Sequence, residues 1–421
     1  MSERQRAAAG SPAVSPERPW LFGLLIAPTA VLMNGVIGGA LSYLLRKQGV
    51  GPARGAEIIA LLNLPQTIYF LWSPITDFWI RRRTWLIVAA TAGAAAMLAA
   101  FQEPSLGRPW AVGLIFLSAC LGQLIVAGCG GMMGALRVEA NRRRAGSFYQ
   151  SGALAFGAIA VFVLVSISAR IQLGLLGWLI AAMIALPSLA ALAAPEQRTV
   201  GGLGLGKTLR QIWHEFKATF LRWEAIPYTL LIVFPMGSGA MIQLLPGLAI
   251  DYQISGRQVA WINGLAGALL MAAGALAATL ISTRVRASVA FLSVCLANEA
   301  ALAVLWLGPL RPFVYLVGTV GFLFTIGTCY ALFTGVVLDF LGDSGKSGSA
   351  RYSIINSLGN IPVTYMLLID GKSYARWGAR AMPGIDVILG VLGGAILLAY
   401  FLSRRSGKKS SAEYAEVAAA P

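Results

Sequence analysis

Twelve long apolar stretches occupy most of this 421-residue chain, and no other feature of the sequence restricts its fold as strongly. Each stretch has roughly 20 residues or more, enough to cross the ~30 Å hydrocarbon core of a bilayer as an α-helix. The stretches are continuously apolar rather than alternating, as membrane helices are. We therefore predict an all-α integral membrane protein with twelve transmembrane helices. The predicted spans cover residues 20–45, 56–80, 84–101, 110–135, 147–168, 173–194, 225–250, 259–282, 287–307, 313–340, 352–369 and 385–402.

Lys and Arg are distributed unevenly between the loops that join these spans. With the N-terminus placed in the cytoplasm, the inner segments hold 23 of them and the outer loops hold 10. This positive-inside bias predicts that both termini are cytoplasmic. The net charge of +16 is therefore explained by basic residues that flank the membrane, and no nucleic-acid partner is expected.

The longest predicted loop, residues 195–224, divides the spans into two blocks, residues 20–194 and 225–403. Cytoplasmic tails are predicted at residues 1–19 and 404–421. Within the loop, apolar side chains recur at helical spacing opposite basic ones, which predicts an amphipathic helix on the inner membrane surface. The only histidine, His214, lies in this segment and is interpreted as an interfacial side chain.

The two blocks of six spans resemble each other, which indicates a duplicated six-helix unit. Duplicated halves around a central site are how alternating-access transporters are built. Three polar or small-residue matches between corresponding spans support the repeat, each with an offset of 200 residues. The matched pairs are Asn63 and Asn263, Cys129 and Cys329, and Glu139 and Asp339.

Residues 73–83 resemble the loop 2–3 signature of the major facilitator superfamily. Asp77, Arg81 and Arg82 occupy the acidic and basic places of that signature, while Phe78 and Ile80 depart from it. The resemblance implies two pseudo-symmetric six-helix halves and a charge latch on the cytoplasmic side. Together with nearby charged residues at span ends, the predicted cytoplasmic gate comprises Asp77, Arg81, Arg82, Arg137, Glu139 and Asp339.

Two shorter segments, residues 71–77 and 351–362, look like the branch that holds AmpG-type muropeptide permeases and acetyl-CoA transporters, to which siderophore permeases are related. The resemblance implies a permease of the cell inner membrane. It would import a bulky polar solute such as a muropeptide or peptide by proton symport. A siderophore or acetyl-CoA permease of the same branch is the alternative.

In the resembled fold, spans 1, 4, 7 and 10 line the cavity, with spans 2, 5, 8 and 11 beside them. On these spans the sequence carries amides and hydroxyls rather than charges, which suits a solute rich in carbonyls, hydroxyls and amides. The alternative is that these groups bridge helices. The candidate substrate-binding residues are Asn34, Asn63, Gln66, Gln123, Gln150, Gln243, Asn263, Tyr330, Asn356, Asn360 and Tyr365.

Glu299 lies near the middle of span 9, where an ionisable side chain is costly and often functional. It is the candidate for proton coupling, and a structural, protonated carboxyl is the alternative. Three other acidic residues, Glu57, Asp370 and Asp386, fall at outer span ends and are expected to be solvated.

The sequence offers little material for an enzyme, because it shows neither a nucleophile–base pair nor a carboxylate dyad. The four cysteines lie in predicted spans without the spacing of a metal site, so neither a metal nor a cofactor is expected. A non-transporting assembly factor with a closed, apolar centre is a further alternative. We expect a monomer whose partners are the lipid bilayer, a small-molecule substrate and protons.

Overall fold

The structure, a computed structural model, describes residues 17–72, 75–76, 79–134, 136, 138–194, 205–221, 225–282, 287–341, 354–355, 357–397 and 399 of the chain. Within these ranges every regular element is a helix. The helices are α1 (Leu21–Lys47), α2 (Pro52–Ile68), α3 (Arg82–Phe101), α4 (Pro109–Gly134), α5 (Glu139–Ile167), α6 (Leu173–Ala193), α7 (Leu205–Phe220), α8 (Ile226–Val233), α9 (Ala240–Leu248), α10 (residues 256–282), α11 (Ala287–Leu307), α12 (Pro312–Leu341), α13 (Ile361–Trp377) and α14 (Ala381–Leu397).

Eight of the described helices are long and apolar enough to cross a membrane by themselves. The other predicted spans correspond to shorter or interrupted helices: α2, α13 and α14, and the pair α8 and α9. The chain is thus an all-helical, multi-pass membrane protein. Below, the inner face is the end of the bundle at which α1 begins, and the outer face is the opposite end.

The last two spans begin and end at different residues from those predicted. Helix α13 continues beyond residue 369 to Trp377 and stops where Gly378 adopts a φ of 85°, a left-handed value that suits glycine. Lys372 and Arg376 suggested a loop, but both are exposed side chains on the helix. Helix α14 begins four residues earlier than predicted, at Ala381.

This shift places two carboxyl groups inside the protein. Asp370 and Asp386 lie within α13 and α14 and are 0% and 3% exposed. The expectation that they are solvated is wrong, because the outer loop that was to hold them is only a few residues long. The remaining outer carboxyl, Glu57, is exposed and pairs with Arg54 at 3.0 Å.

The second span is also shorter than predicted. Helix α2 begins at Pro52, which follows Gly51 and suits the first turn of a helix, and it ends at Ile68 rather than at residue 80. The chain then runs through a 3-10 turn, Tyr69–Leu71, towards α3. Trp79 in this connection has a φ of 65° and is 80% exposed.

Contacts between the two blocks of spans involve a few helix pairs. Helix α2 packs against α13, α5 against α10, and the outer end of α1 against α9. Small residues allow these approaches: Gly371 of α13 lies directly against Ala56 of α2, and Gly264 of α10 lies against the backbone of Phe162 of α5. These pairs surround the space between the two blocks.

Helix α7 shows the two-sided pattern predicted for the long loop. Trp213 stacks on Phe216 with ring centroids 5.5 Å apart, and the Nζ of Lys217 lies 5.2 Å from the centroid of the Trp213 ring. Trp213 remains 57% exposed. An exposed aromatic residue beside a basic one is typical of a helix at a membrane interface, and that location stays a prediction.

Candidate functional site: a cavity between the two halves

A cavity of about 1610 Å³ lies in the middle of the bundle. Its wall is formed mainly by α1, α2, α4 and α5 from the first block and by α9, α10, α12 and α13 from the second, together with the end of α8 and the break that follows it. Helices α3 and α11 contribute one residue each. The wall extends from mid-membrane residues such as Asn63 to Arg82, Gly134 and Phe291 near the inner face. The cavity therefore opens towards the inner face.

The outer face is closed by side chains from both blocks. Arg46, at the end of α1, contacts the Oδ1 of Asp251 beyond α9 at 2.9 Å. The hydroxyl of Tyr374 on α13 donates to the same oxygen at 2.9 Å, and the Arg46 guanidinium lies 5.5 Å from the Tyr374 ring centroid. Deeper in, the backbone N–H of Gly247 donates to the hydroxyl of Ser42 at 3.2 Å.

The sequence prediction missed this closure, although the repeat contained a signal for it. Arg46 and Asp251 follow corresponding spans of the two blocks and carry opposite charges. From the sequence, Arg46 is only a membrane-flanking basic residue, and Asp251 is assigned no role. The structure joins them because spans 1 and 7 meet at the outer face.

Most of the candidate substrate-binding side chains lie in the cavity wall. Gln123 does not, since it is buried at 3% exposure away from the cavity, and Tyr365 is also absent from the wall. Asn356 lies outside the described residues. The candidates in the wall are Asn34, Asn63, Gln66, Gln150, Gln243, Asn263, Tyr330 and Asn360.

Two pairs of these amides bridge the two blocks where the cavity ends. Asn63 and Gln243 exchange hydrogen bonds in both directions, at 2.7 Å and 3.2 Å. Gln66 donates to the Oδ1 of Asn360 at 2.9 Å. In this conformation the four amides therefore hold helices together, the alternative that the sequence left open, and a solute would compete for the same groups.

A break in the seventh span forms part of the cavity wall. Between α8 and α9 the chain is not helical, and both Gly237 and Gly239 have positive φ, 63° and 76°. The break frees the carbonyl of Val233, which accepts a hydrogen bond from the Tyr365 hydroxyl at 2.8 Å. A Cβ at Gly239 would collide with the hydroxyl of Tyr330. Interrupted helices at mid-membrane are a common way to present backbone groups to a transported solute.

Comparison with known proteins identifies the fold. No family model matches the chain, and no curated protein does. Among solved structures, a variant of the nucleoside transporter NupG is 14% identical, with a TM-score of 0.70 over 91% of this chain and 99% of that one. The peptide transporter POT in complex with sulfate is 14% identical, with a TM-score of 0.67 over 97% and 99% of the two chains. A D-xylose–proton symporter is 13% identical, with a TM-score of 0.66 over 90% and 95%.

The chain has the fold of the major facilitator superfamily. The predicted two-half, twelve-helix architecture is thereby confirmed. These matches do not support the narrower resemblance to muropeptide, acetyl-CoA or siderophore permeases. That branch stays a prediction.

The cytoplasmic gate predicted from the superfamily signature is described only in part. Asp77 and Arg137 lie outside the described residues, as do the side chains of Glu139 and Asp339. Arg82 lines the cavity, and its Nη1 donates to the carbonyl of Gly131 at 2.8 Å. Arg81 is exposed at the start of α3. The gate stays a prediction.

Glu299 lies outside the cavity wall, directly behind the break in the seventh span. It is 2% exposed on α11, and its carboxyl lies close to the backbone N–H of Gly237. On its other side the carboxyl presses against Gly390 of α14, where a Cβ would collide with it. The candidate coupling residue thus contacts the backbone that lines the cavity, and its role stays a prediction.

Proposed function

We propose that this protein is a secondary active transporter of the inner membrane. It imports a bulky polar solute of the muropeptide or peptide type by alternating access, coupled to protons. The observation that carries the proposal is the cavity of about 1610 Å³, walled by both halves, open to one face and closed at the other by contacts between the halves. Such a cavity exposes its wall to one side of the membrane at a time.

The wall favours a solute that is polar but carries little charge. Among the described residues, Arg82 is the only charged one that lines the cavity, and it lies near the inner mouth. Acetyl-CoA carries several phosphate charges, which fixed cations normally neutralise, so this alternative has less support. Amide groups from both halves instead match the donors and acceptors of peptides, glycopeptides and siderophores. The volume exceeds the roughly 300–1,000 Å³ of sites for small ligands, as a bulky solute requires.

A non-transporting assembly factor has less support from this geometry. Such a protein has no need of a large, amide-lined space that is closed at one face only. The inner latch of Asp77, Arg81, Arg82, Arg137, Glu139 and Asp339 would close the opposite face when the outer face opens.

Uptake into proteoliposomes that contain the purified full-length protein tests the proposal. Labelled muropeptides, tripeptides and siderophores are offered with an imposed proton gradient, with and without a protonophore. We expect accumulation of one class and its loss with the protonophore. If no class of solute accumulates above the level in protein-free vesicles, transport of these solutes is contradicted. If accumulation is the same with and without the protonophore, proton coupling is contradicted.

A pair of variants links uptake to the cavity. Gln150→Ala removes an amide from the cavity wall, whereas Gln102→Ala removes an exposed amide at the outer end of α3. We expect Gln150→Ala to raise the KM of the accepted solute about 5- to 30-fold, the effect of losing one or two kcal/mol of binding. Equal KM values for the two variants would contradict binding at this wall.

A further inference from the structure

Three carboxyl groups are buried together in the second half of the protein, away from the cavity wall. Glu299 on α11, Asp370 on α13 and Asp386 on α14 are 2%, 0% and 3% exposed. The negative charge of Asp386 acts on both of the other carboxyls, and that of Glu299 acts on Asp370. Glu299 presses against Gly390, which lies one helical turn from Asp386 on the same face of α14.

These groups lack the partners that buried carboxylates normally have. Both carboxyl oxygens of Asp370 and the Oε2 of Glu299 are buried without a hydrogen-bond partner. Within the part of the chain that the structure describes, no Lys or Arg forms an ion pair with any of the three. The unpartnered oxygens of Asp370 indicate a site whose occupant is a proton or a small cation.

Among the described residues, the other titratable groups around the cluster supply no positive charge. The thiols of Cys295 and Cys329 lie beside Glu299, and Tyr365 interacts with Asp386. The basic residues nearest along the chain, Lys372, Arg376 and Arg380, are exposed.

Three negative charges cannot share this apolar interior without compensation. An uncompensated buried carboxylate costs several kcal/mol, so such groups take up protons instead. Among the described residues, no group of three His, Cys, Asp or Glu side chains is arranged to hold a metal ion. Proton binding is therefore favoured over binding of a multivalent metal.

The positions of the carboxyls connect the outer face with the cavity. Asp370 lies seven residues before the outer end of α13, and Asp386 lies five residues after the outer start of α14, about 10 Å and 8 Å at 1.5 Å per residue. Glu299 is deeper, and it contacts the cavity wall through the N–H of Gly237. Next to Asp370, Gly371 packs against Ala56 of α2 in the other half.

We propose that Glu299, Asp370 and Asp386 form one proton-binding site, sealed while the outer face is closed and opened to outer water when α2 and α13 separate. The proposal rests on the proposed function, because it names the residues that carry the coupled proton. It assigns Asp370 and Asp386 a shared role with Glu299. The route ends at the break in the seventh span, where protonation of Glu299 changes the interaction of its carboxyl with the backbone N–H of Gly237.

Infrared spectroscopy of the purified full-length protein in lipid vesicles tests the site without any solute. The C=O stretch of a protonated carboxyl is measured at neutral pH in H₂O and D₂O for the wild type and for Glu299→Gln, Asp370→Asn and Asp386→Asn. We expect a protonated-carboxyl band in the wild type, slow to shift in D₂O, and a smaller band in at least two of the variants. The control Glu57→Gln, which removes an exposed carboxyl, should leave the band unchanged.

Several outcomes would overturn the site. They are absence of the band in the wild type at neutral pH, an identical band in all three variants, and loss of the wild-type band when sodium chloride replaces choline chloride. The last outcome would assign the site to sodium. If a variant fails to fold, the wild-type band and its response to D₂O and sodium still test whether the buried carboxyls hold a proton. A failed uptake screen does not affect the infrared result. Proton-driven uptake by a protein that lacks the band would support the proposed transport and contradict the proposed proton-binding site.

Discussion

At the scale of single residues, Glu299 connects the carboxyl cluster with the cavity. Its carboxyl lies close to the Gly237 N–H, and the amide oxygen of a glutamine can face the same group as an acceptor. A glutamine cannot take up or release a proton, however. Glu299→Gln therefore separates the structural contact from the chemistry.

We expect Glu299→Gln to abolish accumulation of solute against its gradient while exchange of internal for external solute continues. Both activities are measured in proteoliposomes with the solute that the uptake screen identifies. Glu57→Gln, at an exposed carboxyl, serves as the control and should retain both activities. Full accumulation by Glu299→Gln would show that this carboxyl is structural.

The sequence predicted Glu299 because a lone acid in the middle of an apolar span is conspicuous. It did not predict that Asp370 and Asp386 would join it. Asp370 is followed closely by Lys372 and Arg376, a polar run that looks like a loop, and only the Gly378 helix end shows that α13 continues past it. Contacts with a residue on another helix depend on tertiary packing, which cannot be predicted from the composition of one span.

At the scale of elements, the break between α8 and α9 depends on two glycines. Gly239 requires a left-handed backbone, and the Tyr330 hydroxyl occupies the space of its Cβ. The sequence predicted one continuous span here, since the residues at the break, 234–239, are all apolar or small. The glycines and Pro235 allow an interruption but do not fix its place, which is determined by packing against α11, α12 and α13.

Gly239→Ala should lower stability, because a non-glycine residue in the left-handed region costs about 1–2 kcal/mol before any collision is counted. We expect a lower thermal unfolding temperature in detergent and loss of uptake. Gly134→Ala is the matched control, since it also replaces a cavity-lining glycine but its Cβ would meet open space. Gly239→Ala/Tyr330→Phe should recover part of the loss by removing the hydroxyl. Equal stability of the two single variants would contradict this account.

At the scale of the whole molecule, the proposed alternating access requires two states, and a cavity open at the inner face corresponds to one of them. Hydropathy predicted the helices, and the internal repeat predicted their grouping into two halves. They could not predict which face is closed, because both states have the same helices. That choice depends on contacts such as Arg46 with Asp251, whose charged side chains are each about one-fifth exposed.

Arg46→Ala should shift the population towards a state with an open outer face. The largely buried pair is worth about 1–2 kcal/mol, which corresponds to a roughly 5- to 30-fold shift. Electron–electron distance measurements between spin labels at Gln102 and Arg257, exposed at the outer ends of opposite halves, report the opening. Arg54→Ala, which breaks an exposed pair within α2, should leave the distances unchanged. Identical distributions for Arg46→Ala and the wild type would show that the outer closure does not depend on this pair.

The nearly neutral cavity wall has an electrical consequence. A membrane voltage does work only on charge that moves through it, about 2.3 kcal/mol per elementary charge at 100 mV. Since Arg82 is the only charge among the described residues of the wall, reorientation of the empty carrier with its carboxyls protonated should be almost insensitive to voltage. Current would then appear only in the step of the cycle in which a proton is bound or released. A measured current should therefore follow proton coupling and not the movement of the two halves.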